Sequence, residues 1–503
     1  MANSDFFYNV VQGEFGRQTP YYKAENDIID DTNVLDALST TKKTFEKNKT
    51  AAEYLWNYFK GDQPTHYRTK TVRSDINNKV VENHAFEIVM FKNGQTYGEP
   101  ISFASVSKDS SKSEYVDLLN DYCRVASKDT SDLSCGEWQS ATGIGFKGIF
   151  NKDIVLPNQV VPFGIVIPTP LNTWVVYSTE TQEPLCAFQA YEDEENGTMY
   201  KCWTPSYEYT VTEDDIVEKQ PHAYGDIPIV DYPNNQNCLS DIEVVIDLLD
   251  AINSVQSNRV DSIEQFVQAF LKFVNCDVDG EILDDMRSRG AISVHSKQGD
   301  AGNADVGVLS IEMNQQNGQS AKDDMWQSTM SILAIPNKEG NTGGDTQGAV
   351  ELRNGWDFSK TRARIKDAFV KKSERRFARL ITNRLRIVLG ETQFPLTELD
   401  YDVHIVHSPT DNLYTKTQSL VQLLSAGIDP LVAIKTCGLW SDCEKVFVLS
   451  KPYLDAKYKT VEEMVDAEIE NRGVKDQEAV AKQMLDDMNN NSATETNNEP
   501  TES

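Results

Sequence analysis

The sequence predicts an α+β fold, and three segments carry that prediction. Residues 140–235 hold β-branched and aromatic runs separated by Pro, Gly, Asn and acidic turns, which is typical of an antiparallel sheet. Residues 241–274 place apolar side chains at three- and four-residue intervals, the spacing of one helix face. Residues 349–389 are predicted to be helical as well. The chain therefore combines a sheet region with long helices on its C-terminal side.

Helices are predicted to dominate the segment before the sheet. The first covers residues 34–60, and Gly61 is suited to end it because glycine readily adopts the left-handed backbone conformation. The second is predicted from Asn83 to Asn93, ended by Gly94 and followed by a strand over residues 101–106.

A third helix is predicted over residues 113–126, and the sheet region follows it. That region is expected to form one antiparallel sheet of about four to six strands. Its large aromatic side chains are interpreted as sheet core rather than as a ligand cage, because aromatic residues contribute much of the apolar area that a core buries. They are Trp174, Phe188, Tyr191 and Trp203.

The helix predicted over residues 241–274 contains no glycine or proline and would be about 50 Å long. An apolar stripe of that length needs neighbours along its whole extent, from the same chain or from other copies of it. A small αβ insertion is predicted at residues 275–317, with a helix, a strand, a Gly/Asp loop and a second strand. A helix then resumes at about Ser320.

A glycine- and threonine-rich stretch interrupts the helices at residues 337–354, which read NKEGNTGGDTQGAVELRN. Glycine-rich turns before helices often cradle phosphate. Such a nucleotide loop needs a lysine and a Ser or Thr after its last glycine, whereas Gly348 is followed by Ala349 and Val350. A nucleotide site is therefore not expected. The helix after the stretch is predicted to kink near Gly355.

Residues 359–386 carry eleven Lys or Arg residues against Asp367 and Glu374. Taken alone, this segment predicts a surface for nucleic acid or for an acidic partner. The alternative is that its cations pair with acidic neighbours in the chain, which contains 78 Asp and Glu residues. The residues considered for the basic face are Lys360, Arg362, Arg364, Lys371, Lys372, Arg375, Arg376 and Arg379.

The C-terminal part is predicted to begin with a strand over residues 401–408, which places His404 and His407 on opposite faces and argues against a shared metal ion. Helices are predicted to follow at residues 415–427, 429–440 and 461–473. After them the composition becomes rich in Asn, Thr and Glu, which predicts a disordered acidic tail.

The composition excludes several classes of protein. The net charge of −30 is opposite in sign to that of a protein that holds DNA by neutralising its phosphates. No apolar run is long enough to span a membrane, and the start of the chain lacks the features of a secretory signal. The eight cysteines have no CxxC spacing and no histidine at a zinc-ligand interval, so reduced cysteines in a cytosolic setting are expected.

Catalytic and metal-binding motifs are not found in the sequence. The six histidines are dispersed; His84 is expected to cap or stabilise a helix start, and His295 has no obvious acidic or nucleophilic partner. The acidic run DVDGEILDD has its glycine too early for a calcium-binding loop. The expectation is a protein that is not an enzyme and that has no cofactor and no metal site.

The order of elements resembles the portal (connector) proteins of tailed bacteriophages, of the long-tailed siphophage type. Three stretches carry the resemblance. NHAFEIVMFKNGQTYGEPISF, at residues 83–103, is similar to the family's N-terminal helix, turn and strand. TGGDTQGAVELRN, at residues 342–354, followed by a basic helix, resembles its tunnel-loop region. SPTDNLYTKTQSLVQLLSAGIDPLVAIK, at residues 408–435, looks like its passage into the crown. The resemblance covers about residues 40–460, and the first 40 residues and the tail show nothing similar.

The resemblance implies a portal fold with a wing, a long-helix stem, a small αβ clip and a helical crown, assembled as a ring of about twelve copies. The implied divisions are an N-terminal segment at 1–40, wing at 41–240, stem helices at 241–274 and 319–334, clip at 275–318, tunnel loop at 335–348, a second part of the wing with the long basic helix at 349–404, crown at 405–473 and acidic tail at 474–503.

It also implies a function. Such a ring sits at one capsid vertex of the virion, is assembled in the host cytoplasm, and is the channel for packaging and ejection of double-stranded DNA. Its implied partners are copies of itself, DNA bound without sequence preference, the terminase large subunit of the packaging motor, the head–tail adaptor, and the major capsid and scaffolding proteins, with no membrane. The tunnel-loop residues expected to face DNA are Lys338, Asn341, Thr342, Gly343, Gly344, Asp345, Gln347 and Gly348, and the clip residues expected to meet the motor or adaptor are Arg287, Arg289, His295 and Lys297.

Two other interpretations stay open from the sequence. One is a DNA-binding packaging or motor-associated enzyme that uses the basic helix; it would need an acidic metal cluster or a phosphate loop, and neither motif is present. The other is a different structural protein of the virion, such as a capsid or adaptor subunit. A long helix divided by an αβ insertion argues against that second interpretation.

Overall fold

The computed structural model describes residues 15–71, 74–106, 111–152, 161–267, 270–274, 305–309, 315–336, 355–407, 413–440 and 443–457. The chain divides into two compact units, Met1–Ser408 and Pro409–Ser503. Helices and strands are both abundant in the first unit, as an α+β fold requires. The described part of the second unit is helical.

The first unit begins with a short strand and two helices. Strand β1 (Tyr21–Tyr22) is followed by helices α1 (Val34–Lys60) and α2 (His84–Tyr97) and strand β2 (Ser102–Ser105). Helix α1 ends as predicted, because Gly61 has φ 102° and donates its N–H to Asn57 and Tyr58 carbonyls. The prediction that Gly94 ends the second helix is wrong. Helix α2 continues through Gly94 to Tyr97, since a single glycine inside a helix costs only about 1 kcal/mol.

Helix α3 (Ser111–Val125) agrees with the prediction, but the next helix, α4 (Lys128–Thr142), was not predicted. Its buried positions include Asp132, Gln139 and Thr142 as well as apolar residues, so the hydrophobic spacing of a helix is obscured. Gly136 allows α4 to approach α2 closely. A Cβ atom there would lie 2.0 Å from Asn93 Oδ1 and 2.5 Å from Tyr97 Cδ2.

The β-rich region forms two sheets, not the single sheet predicted from the sequence. The strands in chain order are β3 (Ile144–Asn151), β4 (Phe163–Val166), β5 (Thr173–Ser178), β6 (Pro184–Asp193), β7 (Gly197–Trp203), β8 (Tyr207–Val211), β9 (Ile216–Pro221) and β10 (Ile229–Pro233). Six strands pair in the order β1-β5-β6-β7-β8-β9, and three pair in the order β10-β3-β4. Strand β1 runs parallel to β5, and the other pairings are antiparallel.

Helix α1 covers the six-stranded sheet. Its Phe45 stacks on Trp174 of β5 with 4.1 Å between ring centroids, and the Trp174 indole N–H donates to Thr41 Oγ1 at 3.1 Å. Trp174 and Phe188 are buried in this core, as predicted. Tyr191 and Trp203 are only partly buried and lie on the opposite face of the sheet, where Trp203 packs beside Val175 and Ala187.

The helix predicted over residues 241–274 is shorter than expected. After a helical turn at Glu243–Val245, helix α5 runs from Ile246 to Val267 and is about 33 Å long. Phe270–Val274 is instead a strand, β11, paired antiparallel with β12 (Asp305–Leu309). The aromatic, apolar run FLKFV suits either structure in isolation, and the ladder with a strand that is distant in sequence selects the extended form. Helix α6 (Gln315–Leu333) then packs beside α5 and starts earlier than predicted.

Helix α7 (Trp356–Leu389) is the longest described helix. It begins after Gly355, which has φ 81°, and residues 349–354, where the helix with a kink near Gly355 is predicted to begin, lie outside the described residues. The polypeptide then forms β13 (Tyr401–His404), antiparallel to β2. The strand ends at His404, so the expectation that His404 and His407 share one strand is wrong.

The second unit contains helices α8 (Leu413–Ser425), α9 (Pro430–Cys437) and α10 (Cys443–Lys457). The first two were predicted. Asp429 caps α9 by accepting the N–H groups of Leu431 and Val432 at 2.9 and 3.1 Å. Helix α10 was not predicted, and it contains Pro452. The helix predicted at residues 461–473 and the acidic tail lie outside the described residues.

Four buried charges connect the helices and sheets of the first unit. Lys128 and Asp132 of α4, Lys147 of β3 and Glu374 of α7 are each at most 3% exposed. Lys147 bonds both carboxylates, and Lys128 lies 2.6 Å from Asp132 and 3.0 Å from Glu374. Tyr232 of β10 also donates its hydroxyl to Glu374 at 2.9 Å. Burial alone would raise the pKa of Glu374, but the two ammonium groups hold it at about 2.

Lys147→Met should destabilise the first unit by about 3–5 kcal/mol, because it leaves two buried carboxylates with one cation between them. The measurement is the shift in the urea-denaturation midpoint against wild type. Lys152→Met, at an exposed position just beyond the same strand, is the matched control and should change the midpoint little. Equal midpoints for the two variants would show that the four-charge cluster does not stabilise the fold.

Candidate functional site

The glycine-rich stretch is flanked by two well-packed helix ends. All eight residues predicted to face DNA lie outside the described residues. They are Lys338, Asn341, Thr342, Gly343, Gly344, Asp345, Gln347 and Gly348. On the N-terminal side, however, Leu333, Ala334 and Ile335 are at most 9% exposed. Leu333 and Ile335 pack with Ile88 and Val89 of α2.

Two cations hold the C-terminal end of α6, just before the stretch. The Lys92 ammonium of α2 donates to the Leu333 carbonyl, and the Arg362 guanidinium of α7 donates to the Ile332 carbonyl at 2.8 Å. Carbonyls in the last turn of a helix lack intrahelical partners and carry partial negative charge, so cations stabilise them. Burial lowers the pKa of Lys92, while Asp241 acts in the opposite direction.

Helix α2 also holds the start of α7, just after the stretch. Gln95 donates its side-chain N–H to the Ser359 carbonyl at 3.1 Å and to Ser359 Oγ at 2.9 Å. The rings of Phe91 and Trp356 lie 6.4 Å apart. Residues 337–354 therefore leave and rejoin the described fold at two points that are fixed on one helix.

Helix α6 is also held at the start of α2. His84, the first residue of α2, stacks on Trp326 of α6 with ring centroids 4.0 Å apart. Lys322 of α6 contacts Glu82 at 3.0 Å. His84 is also bracketed by Glu82 and Glu87. This is the structural position expected for His84 from the sequence.

Residues 68–71 and 74–80 include several groups that bind Asp261 of α5. This carboxylate accepts from Arg68 at 3.0 Å, from Lys70, and from the Asn78 backbone N–H at 2.7 Å. Burial tends to raise the pKa of Asp261, but hydrogen bonds from Lys70 and Asn78 lower it below its usual value. The sequence did not indicate this role, because Arg68 and Lys70 are 193 and 191 residues away from Asp261.

A second carboxyl of α5 lies against α1. Asp250 accepts the Tyr58 hydroxyl at 2.9 Å, and burial together with the nearby Asp247 raises the pKa of Asp250 to about 6. Burial raises the pKa of Tyr58 as well. This helix contact is therefore sensitive to the protonation of Asp250.

The basic helix does not present its eight candidate residues on a single surface. Three are paired within the chain: Arg375 with Asp402 at 2.9 Å, Arg376 with Asp231 at 3.3 Å, and Arg379 with Asp226 and Glu398. Arg362 contacts α6. Arg364 and Lys372 are exposed, and Lys360 and Lys371 are partly exposed. Outside the candidate set, Lys366 is partly buried with its ammonium nitrogen shielded from solvent, Arg384 donates to the Pro162 carbonyl and Arg386 pairs with Glu391.

The remaining candidate residues do not assemble a reactive centre in the described ranges. The clip residues Arg287, Arg289, His295 and Lys297 lie outside them. Among the residues that the structure describes, no group of three or more His, Cys, Asp and Glu could hold a metal ion. His407 bonds the Gln95 carbonyl and Asp367, and its pKa is raised mainly by Asp367. A membrane-spanning helix is absent from the same residues.

Lys92 and Gln95 were missed by sequence reasoning. Their spacing of three residues puts them on one face of α2. Nothing in the sequence indicates that Lys92 binds the end of α6 and that Gln95 binds the start of α7. Only the packed structure reveals that role.

Residues 20–393 match the family described as phage portal protein, SPP1 Gp6-like. None of the curated proteins matches the sequence. Among solved structures, the chain is similar to one from the neck of a native GTA particle computed with C12 symmetry. The two are 12% identical, with a TM-score of 0.37, over 71% of this chain and 89% of that chain.

Asp250→Asn should stabilise the protein at pH 8 by about 2 kcal/mol and have little effect near pH 4. The pKa of Asp250 is higher in the folded than in the unfolded state. The folded carboxyl therefore contributes stability below about pH 4, and that stability is lost as the pH rises through 6. Thermal unfolding across this pH range measures the effect, with exposed Asp324→Asn as the control. A pH-independent difference between Asp250→Asn and wild type would contradict it.

Proposed function

The chain belongs to the SPP1 Gp6-like family of phage portal proteins, and from that premise we propose that it forms the DNA channel at one vertex of the phage head. Portal proteins of this family are structural components of the virion and not enzymes. The interpretation as a packaging enzyme is therefore wrong.

The assembly that we propose is a closed ring of about twelve copies. The segments keep the roles that the resemblance implies, with residues 41–240 and 349–404 as the wing, 275–318 as the clip and 405–473 as the crown. Helices α5 and α6 form the stem, and residues 270–274 do not extend the stem helix because they form β11. The clip would meet the terminase large subunit and later the head–tail adaptor, and the ring would meet the major capsid and scaffolding proteins.

The observation that best supports a tunnel loop at residues 335–348 is that α2 holds the described chain on both sides of it, at Leu333 and at Ser359. The contacts of Lys92 and Gln95 fix where the loop begins and ends, while its glycines permit many backbone conformations between those points. A loop of this kind can touch passing DNA in many orientations without reading its bases. A ring of twelve chains would carry a formal charge of about −360, which repels phosphate and prevents tight binding.

Negative-stain electron microscopy tests the ring directly. Purified protein should give particles with an axial opening and a mass of about 680 kDa, twelve times the 56.6 kDa of the chain. Sedimentation measures the mass, and a ring of about thirteen copies would also agree with the proposal. Compact single-chain particles without an opening would refute it.

Deleting residues 338–347 should leave ring formation intact and impair DNA packaging, because the anchoring contacts lie outside the deletion. The measurement is the amount of DNA protected from nuclease in particles assembled with the variant. Replacing the same residues with a Gly/Ser sequence of equal length is the matched control and should retain more packaging than the deletion. Normal packaging by the deletion variant would contradict the proposed role of the loop.

A further inference from the structure

We propose that the outward face of α7, from Phe358 to Arg375, docks against an acidic surface of a neighbouring copy of the chain. This inference rests on the proposed ring and names one side of its subunit interface.

Acidic and basic side chains lie on opposite sides of this part of α7. Between Phe358 and Arg375 the acidic residues are Asp367 and Glu374, which are 8% and 0% exposed. Arg364 and Lys372, by contrast, are exposed, as are the flanking Arg362 and Arg375. The helix thus places its carboxylates in the core and presents cations outward. Such a one-signed surface on a chain of net charge −30 fits an acidic partner.

Large apolar side chains lie within this basic face. Phe358 and Ile365 are 56% and 57% exposed and are two helical turns apart, so they lie on the same side. The Arg362 guanidinium lies 5.9 Å from the centre of the Phe358 ring. Contacts to DNA phosphates are made by polar and charged groups. Protein interfaces, in contrast, are enriched in aromatic residues and arginine. The combination therefore favours a protein partner over DNA.

A cavity of about 270 Å³ adjoins the same face. Lys372, Phe369 and Arg376 of α7 form one wall, and Trp174 and Tyr21 contribute to the rest. Central side chains that fill a pocket contribute most of the affinity in many protein interfaces. A side chain that projects from the neighbouring copy would find both apolar walls and the Lys372 cation here.

Acidic surfaces are present on the same chain. The turns between β6 and β7 and between β8 and β9 lie at one end of the six-stranded sheet, and both carry exposed carboxylates: Glu194, Glu195, Asp214 and Asp215. A chain with a basic face and separate acidic faces can make head-to-tail contacts. Contacts of that type close into rings.

The test is Arg364→Glu/Lys372→Glu, compared with Lys43→Glu/Lys152→Glu. All four positions are exposed, and both variants change the net charge equally. The first should raise the protein concentration needed for half-maximal ring formation by about tenfold or more, because like charges would face each other. The control should match wild type. Raising NaCl from about 50 to about 500 mM should weaken assembly of the wild type but affect the first variant less.

A second variant, Phe358→Ser/Ile365→Ser, keeps every cation and should also weaken assembly. Circular dichroism of each variant checks that the chain remains folded. The inference is overturned if Arg364→Glu/Lys372→Glu assembles like the control, including the case in which it assembles normally but no longer binds DNA. Absence of rings in the wild type would instead overturn the proposed function itself, so the two failures are distinguishable.

Discussion

The buried contact between Lys128, Lys147, Asp132 and Glu374 is the constraint on which the first unit depends. It joins a helix, a strand of the small sheet and the longest described helix at one fully buried point. Removing such charges from water is costly, so each must keep its partners. Only a narrow range of positions of α7 relative to α4 and β3 satisfies all four charges. The other contacts of α7, with α2, α6 and β10, are built around that position.

Helix α2 connects the part of the core around this buried cluster to the segments with a proposed function. It packs closely on α4 through Gly136, contacts α7 through Gln95, and supports α6 through Lys92 and the stacked pair of His84 and Trp326. The proposed tunnel loop is thus connected to the most constrained part of the core at both ends. Force applied to the proposed loop by moving DNA would act directly on α6 and α7, and the side chains of α2 that hold both helix ends would transmit it to the core.

The distribution of charge has a second consequence. Within α7, some cations neutralise buried or nearby carboxylates, such as Arg376 with Asp231, and others remain outward. The eleven basic residues of residues 359–386 therefore do not act as one surface. The outward ones are proposed to meet a neighbouring subunit, so that contacts of opposite charge would hold the proposed ring together. The net charge of −30 per chain would repel phosphate and keep DNA from binding tightly.

The sequence by itself determined the α+β composition, most helices, the end of α1 at Gly61 and the membership of the portal family, because these depend on local periodicity, turn residues and element order. The tertiary structure decided what depends on contacts distant in sequence. Helix α4 was not predicted because many of its buried residues are polar and find partners only in the folded core. Phe270–Val274 became a strand because a distant strand pairs with it. Likewise, Lys92 and Gln95 could not be identified beforehand, since their role exists only where three helices meet.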